Sequence, residues 1–164
     1  KLDTGPICNS YSLNILENEN SQSLSERLSL LAADKILDDI DAILEDKAIF
    51  KPQDDAKVTY ANKILKSEAR IDWSKTAKNI VGKINGLYPN SFFVYKGERY
   101  KLLKAELSDK IGETGNVLSD NLEIACKEGS IKVLEIQKQG KRPQKINEFM
   151  HGSQIKKGTN LNNV

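Results

Sequence analysis

The sequence predicts an α+β fold in which helices precede a small antiparallel β-barrel. Apolar residues recur at helical spacing within residues 23–44 and again within residues 77–87. Beyond Pro89 apolar and polar residues alternate, which is the period of a strand with one buried face. Two successive hairpins follow, and in each the apolar face of the second strand changes side, which favours a small closed barrel over a flat sheet.

The N-terminal segment is expected to begin with a turn at residues 2–6 and to continue as a strand over residues 7–15. The pattern Ser23-x-x-Glu26 is a capping box and predicts the start of a helix. A break near Ala33 would divide the apolar stripe between two helices. The acidic residues of this region lie mainly away from the stripe, so they favour a solvated face over a metal site.

Formal charge is distributed unevenly along the chain. Residues 1–55 contain 5 Lys and Arg residues against 12 Asp and Glu, whereas residues 56–164 contain 20 against 11. The balance changes around residues 50–57, where Pro52 and two adjacent aspartates indicate a linker. A basic half of this size is a candidate surface for nucleic acid, although a charge excess alone is more typical of an ordinary solvated face.

Composition excludes several classes of protein. The 164 residues suffice for one domain or for a domain and part of another, and a chain that begins with Lys1 is expected to be processed or a fragment. No run approaches the roughly 18 apolar residues of a membrane span and no N-terminal signal is present, so a cytoplasmic protein without membrane contact is expected. Cys8 and Cys126 lack metal-ligand spacing and are expected to be free thiols, with no metal bound. His151 has no nucleophile or carboxylate pair nearby in the sequence, which disfavours a catalytic role.

Helical spacing continues between the linker and the barrel. A helix here would place Lys63, Lys66 and Arg70 on one side. Ser74 can cap a further helix that ends near Gly86. Its buried stripe is expected to comprise Ala77, Ile80, Val81, Ile84 and Leu87.

The two hairpins have clear turn signals. The first is predicted from residues 92–95 and 99–107, joined at Lys96-Gly97. The second joins residues 122–127 to a strand beginning at Ile131, through a loop in which glycine can take a positive φ. In that last strand the apolar residues change side between Val133 and Leu134, which predicts a β-bulge.

A basic, turn-rich segment follows the last strand and indicates where an anion meets this protein. It comprises Lys138, Lys141, Arg142 and Lys145, placed around Gly140 and Pro143. Residues 145–152 are then expected to form a short helix, and residues 155–164 a polar tail.

Five segments, in order, resemble the methionyl-tRNA formyltransferase family. They are LDTGP at residues 2–6, TYANKI and EARIDW within 59–73, KGERYKLLKAE at 96–106, and LEIACKEGSIKVLEIQKQGKRPQKINEFMHG at 122–152. Any one segment would be weak evidence, but the ordered set spans nearly the whole chain. The resemblance covers the end of the family's catalytic domain and its C-terminal domain.

The resemblance implies an enzyme that transfers a formyl group from 10-formyltetrahydrofolate to the methionyl amino group of initiator Met-tRNA. It implies a remnant of a Rossmann-like α/β catalytic domain at residues 1–50, a linker at 51–69 and an OB-like tRNA-binding barrel at 70–164. In the family, an asparagine, a histidine and an aspartate act together, and Asp3 matches the aspartate. A carboxylate beside an imidazole orients the ring and favours its cationic form, which can stabilise a developing oxyanion.

The family's Asn-x-His and Ser-Leu-Leu-Pro segments precede the aspartate and have no counterpart in this sequence. The sequence therefore resembles a C-terminal half that contains little of the folate site, and we expect it to be inactive alone. The full-length enzyme is expected to be a monomer. The sequence departs from the family at Pro89-Asn90-Ser91, where Pro-Gly-Ala is usual, and at Ser153, where arginine is usual.

The resemblance also implies which cations contact tRNA. Lys141 and Arg142 match the family's basic turn, and lysines and arginines suit phosphate contacts that position RNA without reading bases. The predicted tRNA-binding residues are Lys63, Arg70, Lys138, Lys141, Arg142 and Lys145. Contact with about five phosphates would give a log-log salt dependence with a slope of roughly −4.

Two other interpretations stay open. The chain could be a stand-alone OB-like nucleic-acid-binding module, in which Phe92, Phe93, Tyr95 and Tyr100 would either stack on bases or pack in the core. It could also belong to a related formyltransferase that acts on a nucleotide sugar. The basic second half disfavours the latter, because a small substrate does not need a long cationic surface.

Overall fold

A computed structural model describes residues 3–162 of the chain. Its backbone contacts divide it into two compact units, with the division between Lys63 and Ile64. Unit 1 contains one long α-helix, a short 3-10 helix at Asp55–Lys57 and irregular segments, and unit 2 contains a β-sheet with two α-helices. Each unit is described by itself below.

Helix α1 of unit 1 spans Ser21–Leu44 without the break predicted near Ala33. Its N-cap is Asn20, whose side chain accepts hydrogen bonds from the backbone N–H groups of Gln22 and Ser23, both at 3.0 Å. Ser23 in turn accepts a hydrogen bond from the backbone N–H of Asn20 at 3.2 Å. The sequence prediction was therefore wrong in its choice of cap, since Ser23 is the third helical residue of a capping box that begins at Asn20.

The prediction of a strand over residues 7–15 is also wrong. Only Ile7 forms a β-bridge, with Lys51, through reciprocal backbone hydrogen bonds of 2.8 and 2.9 Å. The apolar residues of α1 stay accessible within unit 1, with Leu30 72% and Leu37 69% exposed. The stripe therefore formed as predicted along the helix, but its residues do not form a buried core within this unit.

Unit 2 is built on an antiparallel sheet that curls into a half-barrel. Its elements are α2 (Ala77–Gly86), β1 (Phe92–Tyr95), β2 (Glu98–Ser108), β3 (Glu123–Ala125), β4 (Ser130–Lys138), β5 (Gln144–Lys145) and α3 (Ile146–Gly152). The strand order is β1-β2-β4-β3, and β5 also pairs with β4. The predicted α+β class is confirmed, and the small barrel that the sequence predicts is present as this curled half-barrel.

The turns of both hairpins have the predicted chemistry. Lys96 and Gly97 have φ values of 49° and 73°, so the first hairpin closes through a two-residue turn with both central φ angles positive. This turn matches the twist of the flanking strands. In the second hairpin Gly129 has a φ of 70°, and its carbonyl accepts a hydrogen bond from Cys126 N–H at 3.0 Å.

Two bulges curl the central β2–β4 ladder. The register pairs on either side of them are Leu102 with Ile136, Lys104 with Glu135, and Ala105 with Val133. Leu103 and Leu134 are therefore the extra residues of their strands, and the bulge predicted after Val133 is confirmed. Because each bulge offsets the alternation by one residue, both Val133 and Ile136 can face the core.

The core of unit 2 lies between the inner face of this sheet and helices α2 and α3. Helix α2 buries Ala77, Ile80 and Ile84, as its spacing predicts, although its N-cap is Thr76 and not Ser74. A row of aromatic rings continues the core. The distances between ring centroids are 6.0 Å from Trp73 to Phe93, 5.3 Å from Phe93 to Tyr100, and 5.9 Å from Tyr100 to Phe149. Phe93 and Tyr100 are thus core residues and not exposed stacking platforms.

The segment before α2 is not helical where helical spacing was noted, and residues 66–69 form a turn. Residues 58–65 have no regular structure, so Lys63, Lys66 and Arg70 do not share a helical face. Arg70 instead forms a parallel β-bridge with Phe92. The flanking backbone bonds run from Ile71 N–H to Phe92 at 2.7 Å and from Phe92 N–H to Ala69 at 2.9 Å.

The segment after α3 packs against the sheet, contrary to the polar tail expected. Ile155 is completely buried and Leu161 is 5% exposed. Leu161 N–H donates to Gly115 and Val117 N–H donates to Thr159, both at 2.8 Å. None of the helices within residues 3–162 has the length and apolar composition needed to cross a membrane.

Candidate nucleic-acid interface

The basic turn after β4 presents Lys141 and Arg142 to solvent. Gly140 has a φ of 72°, a conformation that glycine adopts at little cost, and this lets the chain reverse directly after β4. Lys141 N–H donates to Lys138 at 3.0 Å, and the Gln137 side chain donates to the carbonyl of Lys141 at 2.9 Å. Both Lys141 and Arg142 are exposed and make no ion pair within the described residues, so their charges are available to a polyanion.

Lys138 is less available than the sequence suggests. Its ammonium group forms an ion pair with Glu98 at 2.7 Å and lies 5.9 Å from the centroid of the Tyr100 ring. The hydrogen bond with Glu98 raises the pKa of Lys138, and the same bond lowers the pKa of Glu98. The pair keeps Lys138 positively charged while neutralising much of its field.

Sequence analysis missed two cations beside this turn, Arg99 and Lys101. They lie with Gln137 and Lys138 along an open groove of about 390 Å³. The groove is joined to the turn by the backbone bond from Gln139 N–H to Arg99, at 2.8 Å. Alternation along β2 could have found them, since the core side chains Tyr100 and Leu102 must leave Arg99 and Lys101 on the outer face.

Lys145 lies further along the same sheet, on β5, opposite Glu135 of β4. Together with Lys104 and Lys132 it lines a shallow pocket of about 320 Å³. Lys132 is paired with Glu106 at 3.0 Å. This part of the surface carries both charge signs, so it is a weaker anion site than the turn at Lys141.

The other predicted cations lie elsewhere in the chain. Lys63 is exposed and belongs to unit 1. Arg70 is exposed in unit 2, where it lines a polar groove of about 350 Å³ with Ser67, Asp72 and Asn162. The structure thus brings together Lys138, Lys141 and Arg142 from the predicted set and adds Arg99 and Lys101 to them.

Asp3 lies in an exposed turn of unit 1 and has a φ of 55°. The side chain of Gln53 donates hydrogen bonds to the carbonyl oxygens of Asp3 and Gly5, at 3.0 and 2.8 Å. The carboxylate of Asp3 is thus presented on a turn that is held from a distant part of the sequence. Among the described residues no three His, Cys, Asp or Glu side chains are grouped as a metal site would require.

A curled antiparallel sheet that carries an exposed basic turn and groove defines a small β-domain suited to binding a polyanion. Residues 63–154 match the model of one family, described as the formyl transferase, C-terminal domain. The chain belongs to this formyl transferase family.

Curated relatives agree with the resemblance found in the sequence. A methionyl-tRNA formyltransferase from Pelagibacter ubique is 54% identical over 167 residues, covering 100% of this chain and 54% of the relative. The protein of the same name from Brucella anthropi is 36% identical over 162 residues, covering 95% of this chain and 53% of the relative. The suspected family is confirmed, and the chain spans about half the length of the curated relatives it matches.

Solved structures share the fold at low sequence identity. A variant of HypX from Aquifex aeolicus has a TM-score of 0.70 at 15% identity, over 93% of this chain and 29% of that one. HypX from the same organism in complex with tetrahydrofolic acid has a TM-score of 0.69 at 14% identity, over 90% and 28%. At such identities the likeness concerns the fold alone.

Proposed function

We propose that this chain works as the C-terminal portion of a methionyl-tRNA formyltransferase. That enzyme would move a formyl group from 10-formyltetrahydrofolate to the methionyl amino group of initiator Met-tRNA. The proposal is supported by the 54% identity to a protein of that name over the whole chain. It also agrees with the formyl transferase domain found at residues 63–154.

We assign formyl transfer and tRNA binding to different parts of the chain. Residues 1–50 would complete the catalytic domain, residues 51–69 would link the domains, and residues 70–164 would hold tRNA. Asp3 would orient a histidine supplied by the rest of the catalytic domain and stabilise its cationic form as the methionyl amine attacks the formyl carbon. The folate donor would bind mainly to residues outside this chain.

The tRNA-holding role rests on one observation, the clustering of four cations, three exposed and one half-buried, at one end of the β2–β4 ladder. Arg99 and Lys101 line the groove, and Lys141 and Arg142 extend it along the adjoining turn. None of these four side chains forms an ion pair within the described residues, so each can neutralise a phosphate. Lys63, Arg70, Lys138 and Lys145 would add weaker contacts.

The activity can be tested in a chimera that joins this chain to the N-terminal half of the Pelagibacter relative. With 10-formyltetrahydrofolate and charged initiator tRNA, the chimera should form formylmethionyl-tRNA, and this chain alone should form none. Inactivity of a folded chimera, under conditions in which the Pelagibacter enzyme works, would refute the proposal. Equal formylation of initiator and elongator Met-tRNA would count against a role in initiation.

A stand-alone nucleic-acid-binding module is the alternative function. Its usual means of holding single strands is base stacking on exposed aromatic rings. Here Phe93 is 2% exposed and Tyr100 is 5% exposed, so neither ring can serve in that way. The observed surface suits phosphate contacts better, which favours the tRNA-holding role.

A further inference from the structure

The side-chain amide of Gln53 reaches back 50 residues to the turn that carries Asp3. Its nitrogen lies 3.0 Å from the carbonyl oxygen of Asp3 and 2.8 Å from that of Gly5. A primary amide has two hydrogens, so it can serve both acceptors at once. The Gln53 side chain therefore bridges two backbone carbonyls of the turn, those of Asp3 and Gly5.

The turn needs such support because of its backbone conformation. Asp3 has a φ of 55°, which costs a residue other than glycine about 1 kcal/mol or more. The turn is also exposed, so it gains little from packing. A second tether lies next to Gln53, where Lys51 and Ile7 exchange two backbone hydrogen bonds of 2.8 and 2.9 Å.

The two tethers differ in what they fix. The bridge between Ile7 and Lys51 holds the first residue after the turn, and it uses backbone groups that any residue other than proline supplies. The contact with Asp3 itself depends on the Gln53 side chain, because a donor with two hydrogens at this reach is required. A carboxylate or an apolar side chain of the same length would leave both carbonyls without that donor.

We propose that Gln53 is a positioning residue that fixes the carboxylate of Asp3 for formyl transfer. This role rests on the proposed function, since Asp3 acts only if the chain completes a formyltransferase. Gln53 would not touch the substrates or exchange a proton. It would restrict the orientation of the turn, so that the carboxylate stays within reach of its imidazole partner.

Loss of the two hydrogen bonds from Gln53 should affect the chemical step. A displacement of a catalytic group by about 1 Å can lower turnover by roughly 100-fold. In the chimera described above, Gln53→Met should therefore lower kcat by about 10- to 100-fold and leave the KM for tRNA within about twofold. Gln53→Glu removes the donor while adding a charge, so agreement between the two variants would exclude a purely electrostatic cause.

Matched controls separate positioning from general damage. Gln22→Met makes the same replacement on exposed helix α1 of the same unit and should leave kcat unchanged. In the double variant Asp3→Asn with Gln53→Met, the second change should add little to the first, because Gln53 acts through Asp3. Independent, multiplying effects of the two changes would overturn the proposal.

A structural measurement on the 164-residue chain tests the hydrogen bonds from Gln53 without an activity assay. By NMR, the side-chain amide protons of Gln53 should exchange more slowly than those of the exposed Gln139, and Gln53→Met should shift the backbone signals of Thr4 and Gly5. Absence of both effects would refute the claim that Gln53 holds this turn. If the unsubstituted chimera shows no formylation, the proposed function fails; if Gln53→Met keeps full turnover, only the positioning role fails.

Discussion

The guanidinium carbon of Arg99 lies 4.3 Å from the centroid of the Phe92 ring. Phe92 is 8% exposed, so the ring is a fixed surface within the sheet and the guanidinium covers it from the outer face. A guanidinium held against a ring loses little freedom when it binds an anion, and its N–H groups remain able to donate hydrogen bonds. Arg99 thus places a preorganised positive charge at the edge of the groove.

Replacing Arg99 should separate its charge from its geometry. Arg99→Lys keeps the charge but loses the planar stack, so tRNA affinity should fall by about three- to tenfold with an unchanged salt slope. Arg99→Gln should also make the log-log salt slope less negative by about 1. Both are measured by filter binding of labelled tRNA between 50 and 200 mM salt. Equal affinities of the wild-type and Arg99→Lys chains would show that the stack is unimportant.

The basic turn should contribute charge without base selectivity. Replacing Lys141 and Arg142 together by glutamine should weaken binding to all RNAs similarly and make the salt slope less negative by about 2. Lys78→Gln is the matched control, because Lys78 is an exposed cation on α2 of the same unit. A control that weakens binding as much as a turn substitution would mean that only the net charge matters.

Much of unit 2 could be predicted from the sequence because its signals are local. The positive φ of Gly97 and of Gly129, and the break in alternation at Val133, are each visible within a few residues. Helix α2 was predicted through the same kind of short-range periodicity. Where local spacing and burial agree, the element forms where the pattern places it.

The features that the sequence predicted wrongly depend on contacts between distant parts of the chain. Residues 7–15 have apolar composition but pair only at Ile7, because a strand needs a partner that composition does not supply. Ile155 and Leu161 are isolated apolar residues in a polar segment, and only the folded sheet shows that they complete the core. For the site, the turn at Lys141 was recognisable from its cluster of charges, whereas Arg99 is a single cation whose place on the outer face follows only from the alternation along β2.

Glu123 should make the stability of unit 2 depend on acidity. Burial alone would raise its pKa, but hydrogen bonds from Lys110, Ser119 and Ser108 outweigh burial and hold the pKa at about 2. Because the folded-state pKa is lowered, the carboxylate stabilises the fold above pH 4.5, and this contribution is lost as pH falls from about 4.5 to about 2.

The corresponding variant is Glu123→Gln, which should destabilise the chain by about 1–3 kcal/mol at pH 7, with the difference from wild type shrinking towards pH 2. Urea unfolding at several pH values measures it. Glu106→Gln is the control, since Glu106 pairs with Lys132 on the exposed face of the sheet and should change stability by less than about 1 kcal/mol. A pH-independent difference for Glu123→Gln would contradict the assigned pKa.

The two free thiols should differ in reactivity. Burial raises the pKa of Cys126 to about 11, and the side chain is only 3% exposed, whereas Cys8 is half-buried in unit 1. Since the thiolate is the reactive form, iodoacetamide at pH 8 should modify Cys8 in the native chain and reach Cys126 only after denaturation. Mass spectrometry of a Cys8→Ser variant provides the control, and rapid native labelling of that variant would contradict the burial of Cys126.

The docking of the C-terminal segment can be tested at Gly115, which has a φ of 83°. A Cβ at Gly115 would lie 2.3 Å from Nδ2 of Asn162, the atom that donates a 2.6 Å hydrogen bond to Thr114. Gly115→Ala should therefore cost about 2–3 kcal/mol, combining backbone strain with the lost bond, whereas Gly97→Ala, which has open space around it, should cost about 1 kcal/mol. Adding Asn162→Ala should relieve part of the Gly115→Ala penalty, because the clash disappears with the side chain. Urea unfolding of the wild type, of the single variants Gly115→Ala, Asn162→Ala and Gly97→Ala, and of the double variant measures these stabilities. Strictly additive losses for Gly115→Ala and Asn162→Ala would show that Asn162 does not pack against Gly115.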